Sequence, residues 1–141
     1  MPTREQVYVV LREWIEKADH DLKTASHTLT LGEQCPTDTV CFHAQQCVEK
    51  YLKALLVLKQ IHFPKTHDIE KLISLLPARV PTLLTKDEQN LLTPYAVATR
   101  YPGWREIPLA EARRAVTLAR RVRKEVRRLL PKKALRPKGR L

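Results

Sequence analysis

The sequence predicts an all-α fold, an up-and-down bundle of four to five helices. Three observations predict it. Apolar residues recur at spacings of three and four over long stretches, and no alternating pattern marks a strand. Only three glycines occur in 141 residues, while Leu, Ala, Arg, Lys and Glu abound, a composition that favours helices. Most of the ten prolines fall where the periodic stretches stop.

Each element follows in chain order. Thr3 and Gln6 form a capping-box pair at a helix start. Val7, Val10, Leu11, Trp14, Ala18, Leu22, Ala25 and Leu29 then make one apolar stripe. This predicts a helix of roughly 25 residues. It ends near Gly32, and Pro36 lies in the following loop. A second helix is expected from about Thr39 to Lys59. Ala44, Val48, Tyr51, Leu52, Leu55 and Leu58 make its core stripe. Gln45, Gln46, Glu49, Lys50 and Lys53 fall on the opposite side, together with Phe42. That face reads as solvated, as a dimer interface, or as a ligand-facing surface.

Residues 61–65 are a loop, since Pro64 disfavours a helical Phe63. Asp68 to Leu76 reads as a short helix stopped by Pro77. Thr85 with Glu88 is a second capping box and opens a helix over 86–99, in which Pro94 predicts a kink or break. Residues 100–104 form a turn, and Pro108 suits the first turn of a last helix. Ala112, Ala115, Val116, Ala119, Val122, Val126 and Leu129 are its apolar stripe, and Pro131 ends it. The division expected is a bundle over residues 1–130 and a basic, disordered tail over 131–141. No fixed-period repeat is visible.

Composition excludes several classes. No segment approaches the roughly 18 consecutive apolar residues that span a bilayer. Arg4, Glu5, Arg12 and Glu13 deny the N-terminus a signal-peptide core, so no membrane association and a cytoplasmic location are expected. Cys35, Cys41 and Cys47 are odd in number and lack a Cys-x-x-Cys pair, which reads as reduced thiols. Among the five histidines no Glu-x-x-His or His-x-x-x-His pair occurs, so no metal and no cofactor is expected. Three glycines can hardly build a phosphate loop. The net charge of +11 is unevenly spread. Residues 1–119 hold 15 Lys/Arg and 14 Asp/Glu, whereas residues 120–141 hold 11 Lys/Arg against Glu125 alone. Such a block attracts phosphates or acidic surfaces.

Two local groups point to anion chemistry. Lys65 and His67 precede a short helix, where free N–H groups favour anions; the alternative is that Thr66 or Asp68 caps the helix and His67 packs in the bundle. Arg100 offers a planar fork for phosphate, and Tyr95 and Tyr101 offer stacking faces; the alternative is a turn with Tyr and Trp104 packed at the core edge.

Four ordered blocks then add up. Cys41-Phe-His-Ala-Gln-Gln-Cys-Val-Glu-Lys-Tyr-Leu-Lys-Ala-Leu55 is followed by Phe63-Pro-Lys-Thr-His-Asp-Ile69, then by Tyr95 and Arg100-Tyr-Pro102. Upstream stand Trp14, Ala18, Asp21, Leu22 and Ala25. Together they resemble HEPN domains over residues 5–128. The resemblance implies a helical bundle acting as a homodimer. Many prokaryotic members pair with a minimal nucleotidyltransferase as toxin and antitoxin, and others bind nucleotides. HEPN ribonucleases carry Arg, four to six residues, then His; here no His follows Arg100. No catalytic residue is therefore assigned. The expected nucleotide- or RNA-binding set is Lys53, Lys65, His67, Tyr95 and Arg100. Alternatives are a diverged metal-independent ribonuclease and a protein–protein adaptor.

Overall fold

In the computed structural model, which describes residues 1–136, the first helix starts as its cap predicts. Thr3 Oγ1 accepts from the Gln6 amide at 3.1 Å, and Gln6 Oε1 accepts from the Thr3 amide at 2.8 Å. This helix, α1, covers Arg4–Leu29. A turn through Gly32, whose φ of 60° suits glycine, reverses the chain. Then come α2 (Thr37–Leu58), α3 (Ile69–Ser74), α4 (Lys86–Leu92), α5 (Leu109–Leu129) and α6 (Lys132–Leu135). The fold is an all-α bundle, with no strand among the described residues.

Local chemistry sets the remaining ends. Asp68 accepts from the Lys71 amide and caps α3. Thr85 and Glu88 close the second capping box at the start of α4. Pro94 acts as a break rather than a kink: α4 stops at Leu92, and the chain tightens into 3-10 turns at Thr93–Ala96 and Ala98–Arg100. Those turns bring Tyr95 inward and leave Arg100 outside.

The bundle is built around α2. It lies against α1 on one side and α5 on another, while α3 and the turn at 93–96 approach a third. Fourteen of its 22 residues are buried. The stripe on α5 is made of small residues, Ala112, Ala115, Val116 and Ala119, all fully buried. Small side chains let α5 approach α2 closely. Cys35, Cys41 and Cys47 are buried free thiols, and burial pushes Cys41 up to about 12.

Two expectations need correction. Val10, assigned to the apolar stripe of α1, is 44% exposed, as is Val9 at 41%. The stripe is narrower there because nothing among the described residues covers the first turns of α1 on that side. Residues 132–136 are also not the structureless start of a tail. Lys132–Leu135 form a helical turn whose Ala134 is fully buried, and Arg12 Nε donates to the Ala134 carbonyl at 3.0 Å. The remaining tail, 137–141, lies outside the described residues. No helix among those described is long and apolar enough to cross a membrane.

Candidate functional site

Most of the polar face of α2 is shut away from water, and only Phe42 and Lys50 on it are half-buried. Gln45, Gln46, Glu49 and Lys53 are all buried, because the loop from Phe63 to His67 folds across them. Glu49, only 3% exposed, is the hub. Its Oε1 accepts from Gln45 Nε2 at 3.2 Å and from Gln46 Nε2 at 3.4 Å. The same oxygen lies 2.8 Å from His67 Nδ1. Its Oε2 accepts from Lys53 Nζ at 2.9 Å. Gln45 Nε2 also donates to the His67 carbonyl at 3.1 Å, which pins the loop to the helix. The Lys53 ammonium sits 5.4 Å from the Trp14 ring centre and 5.9 Å from that of Phe63. The i, i+4 spacing of Gln45, Glu49 and Lys53 puts these groups in one row.

This network fixes one imidazole. A carboxylate only accepts, so Nδ1 of His67 is the donor toward Glu49. Nε2 makes no hydrogen bond among the described residues, and the side chain is 49% exposed. His67 therefore combines a held ring with an open nitrogen.

The expected site residues separate into three groups. His67 and Lys53 meet through Glu49, but the Lys53 ammonium is enclosed and paired, so it presents no charge to an outside phosphate. Lys65 is exposed two residues before His67. Arg100 is exposed too, with its guanidinium carbon 5.5 Å from the Phe42 ring centre. Phe42 precedes Glu49 by seven residues on α2, roughly 10 Å along the axis. Arg100 and His67 thus stand at two points along one face. Arg100 makes no ion pair among the described residues. Tyr95 is displaced from the expected set. It is fully buried, its hydroxyl donates to Glu111, and it stacks edge-on with Trp104. Burial and that bond push its hydroxyl well above the usual phenol range. Its ring offers no open face, whereas Tyr101 is 63% exposed beside Arg100.

Other charged groups serve the framework. Arg105 grips Glu111 with two bonds, of 3.0 and 2.7 Å, and holds its carboxyl below the usual range. Arg121 donates one bond to Glu88 and likewise holds its carboxyl below the usual range. Asp19 accepts from Tyr51 and from Arg123, tying α1 to α2 and α5. Asp21 meets Lys50 Nζ at 2.5 Å and His43 Nδ1 at 2.8 Å. No group of three or more His, Cys, Asp or Glu is placed to hold a metal among the described residues. An apolar groove of about 800 Å³ runs between the start of α1 and the loop after α2, lined by Val9, Val10, Val57, Ile61 and Phe63.

Sequence reasoning placed Glu49 on the polar face but missed its role. The available signal was Gln45, Glu49 and Lys53 at i, i+4 spacing beside an aromatic loop.

The arrangement has known relatives. The family model of the HEPN domain matches residues 11–129. Among solved structures, the crystal structure of TT1696 from Thermus thermophilus is similar, with 31% identity and a TM-score of 0.70. The match covers 85% of this chain and 98% of that one. No curated protein matches.

Proposed function

Because the chain belongs to the HEPN domain family, we propose that it is a non-catalytic binding module that holds the phosphate of a nucleotide or of RNA at Arg100 and His67. The observation that carries this reading is the exposed pair of His67, held by buried Glu49, and Arg100, which has no carboxylate partner among the described residues. Lys65 adds charge beside His67, and Tyr101 adds an aromatic face beside Arg100. Arg gives two parallel bonds to phosphate, and an aromatic ring stacks on a base. No His follows Arg100 in the sequence, so the paired Arg and His of a HEPN ribonuclease are incomplete.

The module acts as a homodimer and pairs with a minimal nucleotidyltransferase in a toxin–antitoxin-like arrangement. The exposed apolar side chains at the start of α1 support association with another chain. Sedimentation at micromolar concentration tests the dimer, and a strictly monomeric species would refute it.

Titration with ATP and with short RNA tests the ligand. Saturable binding is expected, and Arg100→Ala should weaken it by about 10- to 100-fold, the loss of a charge-assisted bond worth about 1.5–3 kcal/mol. No saturable binding, or an unchanged Kd in the variant, would remove this reading.

The Glu49–His67 pair favours a second reading. A carboxylate-oriented imidazole is also the geometry of a general base. A diverged metal-independent ribonuclease using His67 would cleave RNA in the presence of a chelator and lose that activity in His67→Ala. Intact RNA at high protein concentration sinks this alternative.

A further inference from the structure

α5 carries eight Lys/Arg in 21 residues, opposed only by Glu111 and Glu125. Its inward face is the small-residue stripe against α2. At 100° per residue Arg113, Arg114, Arg120, Arg121, Lys124 and Arg128 share one outward arc about 120° wide. All six are exposed. The other members of the arc are Ala110 and Thr117, so it contains neither an acid nor a large apolar side chain. From Arg113 to Arg128 it runs roughly 22 Å along the axis.

Part of this charge is used within the fold. Arg121 pairs with Glu88, and Arg128 lies 3.6 Å from Glu125. Arg113, Arg114, Arg120 and Lys124 have no acid within ion-pair distance among the described residues. Arg120–Lys124 and Lys124–Arg128 are like charges at i, i+4, a spacing that destabilises a helix. Glu125 offsets this repulsion at Arg128 alone; Arg120 and Lys124 have no acid partner among the described residues. Meanwhile Arg123 and Arg127 clamp α5 to Asp19 of α1, so the arc is presented on a fixed helix.

We propose that the outward face of α5 is a binding surface for the phosphate backbone of nucleic acid, separate from the Arg100–His67 site and independent of that reading. The arc lacks the buried apolar centre that a protein interface needs, and a second copy of it would bring like charges together. A polyanion needs only the row of cations, and its condensed counterions supply the driving force on release. Recognition is sequence-independent, because no side chain of the arc reads a base edge better than a phosphate.

The test is salt-dependent binding of a fluorescein-labelled 20-nucleotide RNA, with a 20-base-pair DNA as the second backbone, to the full chain. The triple variant R113Q/R120Q/K124Q keeps residues 132–141 in place. It should reduce the slope of log K against log salt by about 2 for the single strand, and the affinity at 0.1 M salt by roughly a hundredfold. Far-UV circular dichroism checks the fold, and K124Q alone should still reduce the slope by about 0.7. ATP titration separates the two sites: the triple variant should bind ATP as the parent does, and absence of ATP binding in both would fail the Arg100 reading alone. A slope and affinity equal to the parent's would overturn the proposal. So would preferential binding of polyglutamate over RNA that is lost in the triple variant.

Discussion

Glu49→Ala is expected to lower stability by about 3–5 kcal/mol, the loss that follows when one partner of a buried ion pair is removed. Lys53 would keep its charge beside Trp14 and Phe63 with no carboxylate to meet it, in a site where its side chain is 9% exposed. Gln45 and Gln46 would each lose an acceptor, and His67 would lose the group that holds its ring. In a chain of this length the melting temperature should fall by roughly 10–15 °C. Glu49→Gln keeps the shape and one acceptor oxygen, so it should lie between parent and alanine variant. The double variant Glu49→Ala, Lys53→Met should recover part of the loss, because the stranded charge goes with its partner. Ligand binding gives a second readout. A Glu49→Ala protein that is still folded should bind ATP more weakly, since its imidazole is no longer fixed. A loss below about 1 kcal/mol would mean that Lys53 reaches water freely, and the hub role of Glu49 would be wrong.

This network marks the boundary of what the sequence could say. Helix starts were legible because caps are local: Thr3 with Gln6, Thr85 with Glu88, and Asp68 each act within one turn. Helix stops were legible because Pro94 and Pro131 act on their own neighbours. The depth of the α2 polar face was not, because helical periodicity reports which residues share a side and nothing about what lies over them. The segment that covers it, Phe63 to His67, has no periodicity at all. Tyr95 failed for a related reason. Its place in the interior is set by Glu111, 16 residues away and held in turn by Arg105, and a partner at that distance leaves no local trace. His67 and Arg100 were singled out as anion-binding candidates beside a helix start and a turn, and both lie on the surface.

Leu55→Ala is expected to cost about 2–5 kcal/mol, toward the upper end of the range. Leu55 has no exposed surface, and its helix is flanked by both α1 and α5. A cavity there cannot close by moving one helix, since α5 is tied to α1 through Arg123 and Arg127 on Asp19. The packing therefore relaxes little, and the cavity term adds to the lost transfer energy. Leu55→Met conserves volume and should cost less than about 1.5 kcal/mol. Val10→Ala provides the contrast, because both residues belong to apolar stripes in the sequence while Val10 is 44% exposed. Its loss should stay below about 1 kcal/mol, as little of the side chain leaves water on folding. Urea denaturation reads all three, with the midpoint moving and the slope unchanged. If Leu55→Ala and Val10→Ala moved the midpoint equally, α2 would not be the closed centre of the bundle. The enclosure of Glu49 and Lys53 on that same helix would then fall with it.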